Sequence, residues 1–185
     1  LDGRLRQKIC LYDPATNELK IDAVKMPDDL LGETHPLVLG TDGKLYAIGQ
    51  HPSKAAAAAQ IDPDTLAVTF YGPIGPSHAP SGCWGYSGAA DGRYVYVASG
   101  KVPWHLVAYD RKTGKSETLA TTGTVGGMVG VGQGRDGCTA KVSGVVGGPA
   151  ERQEYWLHKG KAIPVADRKA PPPWPIREPG PPTPQ

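Results

Sequence analysis

The residues of this chain best suited to chemistry on a ligand are its histidines, tryptophans, tyrosines and lysines, and they recur at matched positions. Imidazole gains and loses protons near neutral pH, and indole and phenol rings offer flat apolar faces. His35 stands seven residues before Asp42, and Trp84 stands seven before Asp91, with Tyr86 two further on. His51 and Lys54 follow the strand-like run Lys44-Leu45-Tyr46-Ala47-Ile48. Lys101, Trp104 and His105 follow the equivalent run Arg93-Tyr94-Val95-Tyr96-Val97. His78 falls between the two series, and His158 lies apart from both. Each has an ordinary structural role when taken singly: a solvated or backbone-paired histidine, a packing tryptophan, a solvated lysine. Taken together they predict a polar, aromatic-lined cleft.

An internal repeat must position them. Cys10-Leu11-Tyr12-Asp13-Pro14-Ala15-Thr16, Gln60-Ile61-Asp62-Pro63-Asp64-Thr65 and Ala108-Tyr109-Asp110-Arg111-Lys112-Thr113 share one pattern, with Asp and Thr both stepping by 49 and then 48. A second pattern, Asp-Gly, interleaves with it at Asp42-Gly43, Asp91-Gly92 and Asp136-Gly137. Asp-Gly is a hairpin signal because a type I′ turn needs positive φ, and Asp-Pro presets a turn through a side-chain cap and a fixed φ. Each period of about 48 residues therefore holds two hairpins, or four short antiparallel strands, which is the blade of a β-propeller. The expected fold is all-β. It comprises half a blade (8–21), two whole ones (about 35–72 and 84–120) and a degraded fourth beginning at Met128 and ending with Lys161-Ala162-Ile163-Pro164-Val165. Three to four blades are too few to close a ring, so more chain or a second copy would supply the rest. The alanines from Ala55 to Ala59 lie inside the period and are read as strand rather than helix.

In this topology the loops before the first strand and after the second share one end of the blades, and the Asp turns share the other. The candidate residues gather at the loop end, where irregular connections carry function. Residues 1–166 form the partial propeller. Residues 167–185, with Pro171-Pro172-Pro173-Trp174-Pro175, form an extended tail or linker, or else a ligand for an SH3- or WW-type module.

Bulk properties exclude several classes. A net charge of +2 gives no pull toward nucleic acid or acidic membranes. No apolar run is long enough to span a bilayer, and no secretory leader is visible in the polar opening residues. Cys10, Cys83 and Cys138 form no CxxC pair and read as free thiols. His35, His51 and Cys83 lack tight metal-ligand spacing, so no metal site or cofactor is assigned, although a divalent ion would suit an acidic substrate.

The segment from His35 to Leu119 resembles the seven-bladed propeller polysaccharide lyases that act on ulvan or rhamnose–glucuronate polymers. The resemblance rests on Thr34-His35-Pro36, Asp42-Gly43-Lys44-Leu45-Tyr46, His51, Asp62-Pro63-Asp64-Thr65, Gly92-Arg93-Tyr94-Val95-Tyr96 and His105-Leu106-Val107-Ala108-Tyr109-Asp110. It implies β-elimination on a uronate, with His35, His51 and Tyr86 as the catalytic set. It also implies Lys101 as the neutralising cation and Trp84, Trp104 and His105 as substrate contacts. A polysaccharide partner would in turn imply export to the periplasm or beyond. Two other readings stand beside it. One is a non-catalytic propeller that binds a glycan, peptide or protein. The other is a metal- or quinone-dependent propeller enzyme.

Overall fold

The computed structural model describes residues 8–32, 37–77, 84–100, 102–123, 127–134, 137–147 and 152–165. Every named element among them is a β-strand. A two-stranded sheet pairs β1 (Ile9–Asp13) with β2 (Glu18–Val24). Three four-stranded antiparallel sheets follow, each laid out in chain order. They are β3 (Val38–Leu39), β4 (Leu45–Gln50), β5 (Ala56–Ile61) and β6 (Val68–Ile74); β7 (Trp84–Ala90), β8 (Tyr94–Gly100), β9 (Trp104–Asp110) and β10 (Lys115–Thr121); and β11 (Met128–Gly134), β12 (Gly137–Ser143), β13 (Gln153–His158) and β14 (Lys161–Pro164).

The fourth repeat is therefore not degraded. β11 and β12 pair without interruption from Gly134↔Gly137 to Met128↔Ser143. Their glycines and Lys141 carry little strand propensity, so pairing to neighbours decides the conformation. The tail at 167–185 lies outside the described residues.

Alanine is the best helix former, yet β5 is a strand because it is buried on both faces. Ala56 and Ala58 enter a layer shared with Val95, Val97 and Tyr109, while Ala57 and Ala59 enter one shared with Ile9, Val24 and Leu30. A period of two along the strand sends alternate methyl groups to opposite sides.

The repeated aspartates cap their turns. Asp91 Oδ1 accepts the amides of Arg93 at 2.8 Å and Tyr94 at 2.7 Å. Asp62 Oδ1 accepts those of Asp64 at 3.0 Å and Thr65 at 3.2 Å. At the two Asp-Gly turns that are fully described the type I′ geometry is absent: Gly43 has φ of 74°, but Asp42, Asp91 and Gly92 all keep negative φ. The side-chain cap, rather than left-handed backbone, is what these turns require of aspartate.

Through a buried tyrosine, Asp42 and Asp91 help clasp one sheet to the next. Tyr46 Oη donates to Asp42 Oδ2 at 2.8 Å, and Tyr96 Oη donates to Asp91 Oδ2 at 2.9 Å. Each tyrosine oxygen then accepts from the outer turn of the following sheet: Tyr46 from Arg111, and Tyr96 from the Gly160 amide at 2.9 Å. Arg111 also reaches Asp42 Oδ2 at 3.0 Å and Gln60 Oε1 at 2.7 Å. Within a sheet, a basic residue ties the inner turn to the outer one. Lys44 meets Asp62 at 2.6 Å, and Arg93 meets Asp110 through two bonds of 2.5 and 3.0 Å.

These pairs set the acid limb of stability. The Lys44 ammonium, helped by backbone amides, lowers the Asp62 carboxyl from 3.8 to about 2, and the Arg93 guanidinium lowers Asp110 further still. A depressed folded value adds stability above the unfolded pKa and loses it as pH falls through the folded one. Urea midpoints are expected to hold steady from neutral pH down to about 4 and to fall toward about 2. The variant Arg93→Gln flattens that fall.

Cys10 is exposed and Cys138 is buried, both as free thiols. Burial pushes the Cys138 thiol far above its ordinary value. Alkylation of the native protein is expected to label Cys10 and to reach Cys138 only on unfolding. Mass mapping after a timed pulse reads both.

Candidate functional site

The first strands of the three larger sheets carry the site. β7 packs beside β3 and β4 on one side and β11 on the other. Side chains and backbone stitch the three together. Thr41 N donates to Ala90 O at 3.1 Å, Val131 N donates to Ser87 Oγ at 2.9 Å, and Ala90 N donates to Gln133 Oε1 at 3.0 Å. Glycine lets the strands come this close. A Cβ placed on Gly85 would stand 2.5 Å from the Gly49 carbonyl oxygen.

At the end of the sheets where β7, β9 and β11 begin, a hollow of about 610 Å³ opens. Tyr86 and Trp104 form one wall, with ring centroids 5.5 Å apart and planes at 78°. Edge-to-face packing leaves Tyr86 58% exposed as a residue. The strand β11 crosses the hollow with Gly130 and Gly132, and a Cβ on Gly130 would meet nothing within 4 Å. Met128, Thr139 and Lys141 complete the lining. Lys141 Nζ lies 3.4 Å from Glu154 Oε1, and both side chains are half exposed. Such a pair is weakly held and can re-pair with a ligand. A second hollow of about 440 Å³ shares Ser87, Val131 and Gly132 and continues past Leu37 and Leu39.

The structure brings together Tyr86 and Trp104 out of the residues expected from sequence. His51 lines a separate, shallow hollow with Leu31, Gln50, Pro52 and Lys54. Its ring stacks on Phe70 of β6 at 6.3 Å, away from the first strands. The Ser53 amide donates to His51 Nδ1 at 3.1 Å, with Ser53 Oγ at 2.7 Å from the same nitrogen. Nδ1 is thereby engaged by Ser53. His105 sits within β9 opposite Thr121, with Nδ1 3.0 Å from Thr121 Oγ1, and is not part of the hollow's lining. Trp84 opens β7 opposite Gly100. His35, His78 and Lys101 lie outside the described residues. Among the described residues, no three His, Cys, Asp or Glu side chains gather to hold a metal ion.

Met128, Thr139 and Lys141 escaped the sequence reading because they belong to the fourth repeat. A signal was present in Val129-Gly130-Val131-Gly132. Its period of two buries the valines on one face and leaves the other open.

Compared with protein-family models and with curated proteins, the chain matches none.

Proposed function

We propose that the stacked sheets are blades of a β-propeller and that the chain is a glycan-binding module whose ligand lies against Tyr86 and Trp104. One observation carries the reading: two aromatic rings wall a glycine-floored hollow that has an ammonium group on its rim. A sugar ring has an apolar C–H face and a rim of hydroxyl groups. The face suits an aromatic ring, and the hydroxyls suit Thr139 and the Lys141–Glu154 pair. The volume falls in the range of small-ligand sites, roughly 300–1,000 Å³. The propeller reading is supported by the chain-order sheets, their glycine-mediated approach and the clasp repeated from sheet to sheet. Closure takes about four to eight blades, so more chain or a second copy completes the disc.

Titrating the protein with a panel of neutral and uronate-containing oligosaccharides tests the proposal. A ligand is expected whose affinity drops about 10-fold, or ~1.4 kcal/mol, in Tyr86→Ala. Affinity indifferent to that change removes the site.

A catalytic reading is favoured by the phenol of Tyr86 and the ammonium of Lys141 on one hollow. In elimination on a uronate, Lys141 neutralises the carboxylate; Tyr86 as phenolate takes the C5 proton and passes it to O4 as the C4–O bond breaks and a C4–C5 double bond forms, which leaves the phenolate ready for another turnover. Ultraviolet absorbance of the unsaturated product reports it. The variant Tyr86→Phe is expected to abolish product and retain binding. Binding with no product from the parent protein leaves the module non-catalytic.

A further inference from the structure

The β1–β2 pair repeats the outer half of the larger sheets. β1 ends in Asp13, as β5 is followed by Asp62 and β9 ends in Asp110. The three outer pairs with this aspartate carry a register shift a few residues before it: β1–β2 at Ile9/Leu11, β5–β6 at Ala57/Ala59, and β9–β10 opposite Thr118/Ala120; the outer pair of the last sheet, β13–β14, has none. In the first two of the larger sheets the inner edge of the outer pair is taken by a hairpin whose Asp-Gly turn offers a basic side chain to the aspartate, Lys44 to Asp62 and Arg93 to Asp110. At Asp13 the carboxylate accepts the Ala15 amide at 2.8 Å and is bonded by Thr16, while Lys20 of its own pair attracts it from farther off; no inner-turn cation is seen on it among the described residues.

The flank of that edge is apolar and open. Leu39 pairs with Leu45, whose side chain packs into the layer of Ile9 and Val24. Leu39 is 57% exposed and Leu37 beside it 41%, and both border the second hollow. Val38, on the opposite face of β3, is buried against the next sheet.

We propose that the edge of β1 and the flank of β3 form a docking seat for an antiparallel β-hairpin with an Asp-Gly-Lys or Asp-Gly-Arg turn, presented by a polypeptide outside these 185 residues. Three features define this occupant. The edge of β1 supplies backbone hydrogen bonds to an antiparallel strand. Leu37 and Leu39 need an apolar face to cover them. Asp13 selects a basic residue at the turn, as the two equivalent aspartates do. A second copy of the chain is not the donor, because its own Asp-Gly hairpins already form the inner pairs of their sheets. The seat rests on the reading of the sheets as repeated blades; Leu37 and Leu39 border the second hollow but do not line the Tyr86–Trp104 hollow, so loss of glycan binding in Tyr86→Ala leaves hairpin docking unchanged.

The test fuses a copy of residues 84–100 ahead of the full chain, so that the existing leading residues serve as the connection. Tethering raises the local concentration of the hairpin enough to fill a weak seat. Hydrogen exchange across β1 and alkylation of Cys10, which lies in β1 and is exposed, are then compared with the parent. Both are expected to slow about 10-fold. Changing the arginine of the added hairpin to glutamate reduces the protection about 2- to 5-fold, and Asp13→Arg in the same protein restores it. Unchanged rates in the fusion, or equal protection by a scrambled hairpin, overturn the proposal. So does a parent chain that sediments as a dimer with Cys10 already protected, since the occupant is then a second copy.

Discussion

Replacing Asp91 with alanine is expected to lower the unfolding free energy by about 3 kcal/mol. The residue is 4% exposed and serves three donors: the Arg93 and Tyr94 amides through Oδ1 and the Tyr96 hydroxyl through Oδ2. Tyr96 is fully buried, so its hydroxyl proton has no water to turn to once the carboxylate is gone. An unsatisfied buried donor costs roughly 1–3 kcal/mol, and two uncapped turn amides add to it. The damage spreads across the sheet boundary, because the Tyr96 oxygen also receives the Gly160 amide. Thermal unfolding should show a drop on the order of 6–12 °C for a chain of this size. The variant Asp91→Asn keeps an acceptor in place and is expected to lose less than half as much. Equal losses in the two would mean that charge, not capping geometry, is what the turn needs.

Gly85→Val is expected to cost as much by a different route. Even a methyl group there would stand 2.5 Å from the Gly49 carbonyl oxygen and 2.7 Å from the Ile48 side chain. The first contact is with backbone inside the paired strands β4 and β5, which cannot swing aside as a side-chain tip would. The sheets must separate locally, and overpacking of this kind costs about 1–3 kcal/mol or more. Because β7 also positions Tyr86 one residue on, the ligand hollow is distorted together with the fold. Denaturant midpoint and oligosaccharide affinity should fall in parallel. A Gly92→Ala variant serves as the control, since its Cβ meets nothing within 4 Å and its φ is negative.

The repeat was legible because aspartate does two jobs. In the first two of the larger sheets it caps its own turn and holds the tyrosine hydroxyl that accepts from the next sheet, Asp42 with Tyr46 and Asp91 with Tyr96, so it recurs at fixed spacing. The alanine run was legible as strand only through its place in that period, since propensity alone argues for helix. The fourth sheet was hard to read for the opposite reason. Gly130, Gly132 and Lys141 leave one face of β11–β12 open, so no apolar or aromatic signal marks it. Within the site, Tyr86 was found because it lies two residues after Trp84, which holds the repeated offset from Asp91, and Trp104 because it follows the second strand-like run of the same repeat. Grouping them with His51 assumed that residues at one end of the sheets meet. Strand order also sets how far each lies from the first strands, and His51 stacks on Phe70 in the last strand of its sheet.

The most direct measurement is chemical-shift mapping of the backbone amides and aromatic rings during titration with an oligosaccharide that the protein retains. The account predicts the largest shifts at Tyr86, Trp104, Gly130, Gly132 and Lys141, with little change at Leu31, His51 and Lys54. Shifts centred on His51 and Lys54, or no retained oligosaccharide in a broad panel, would contradict it.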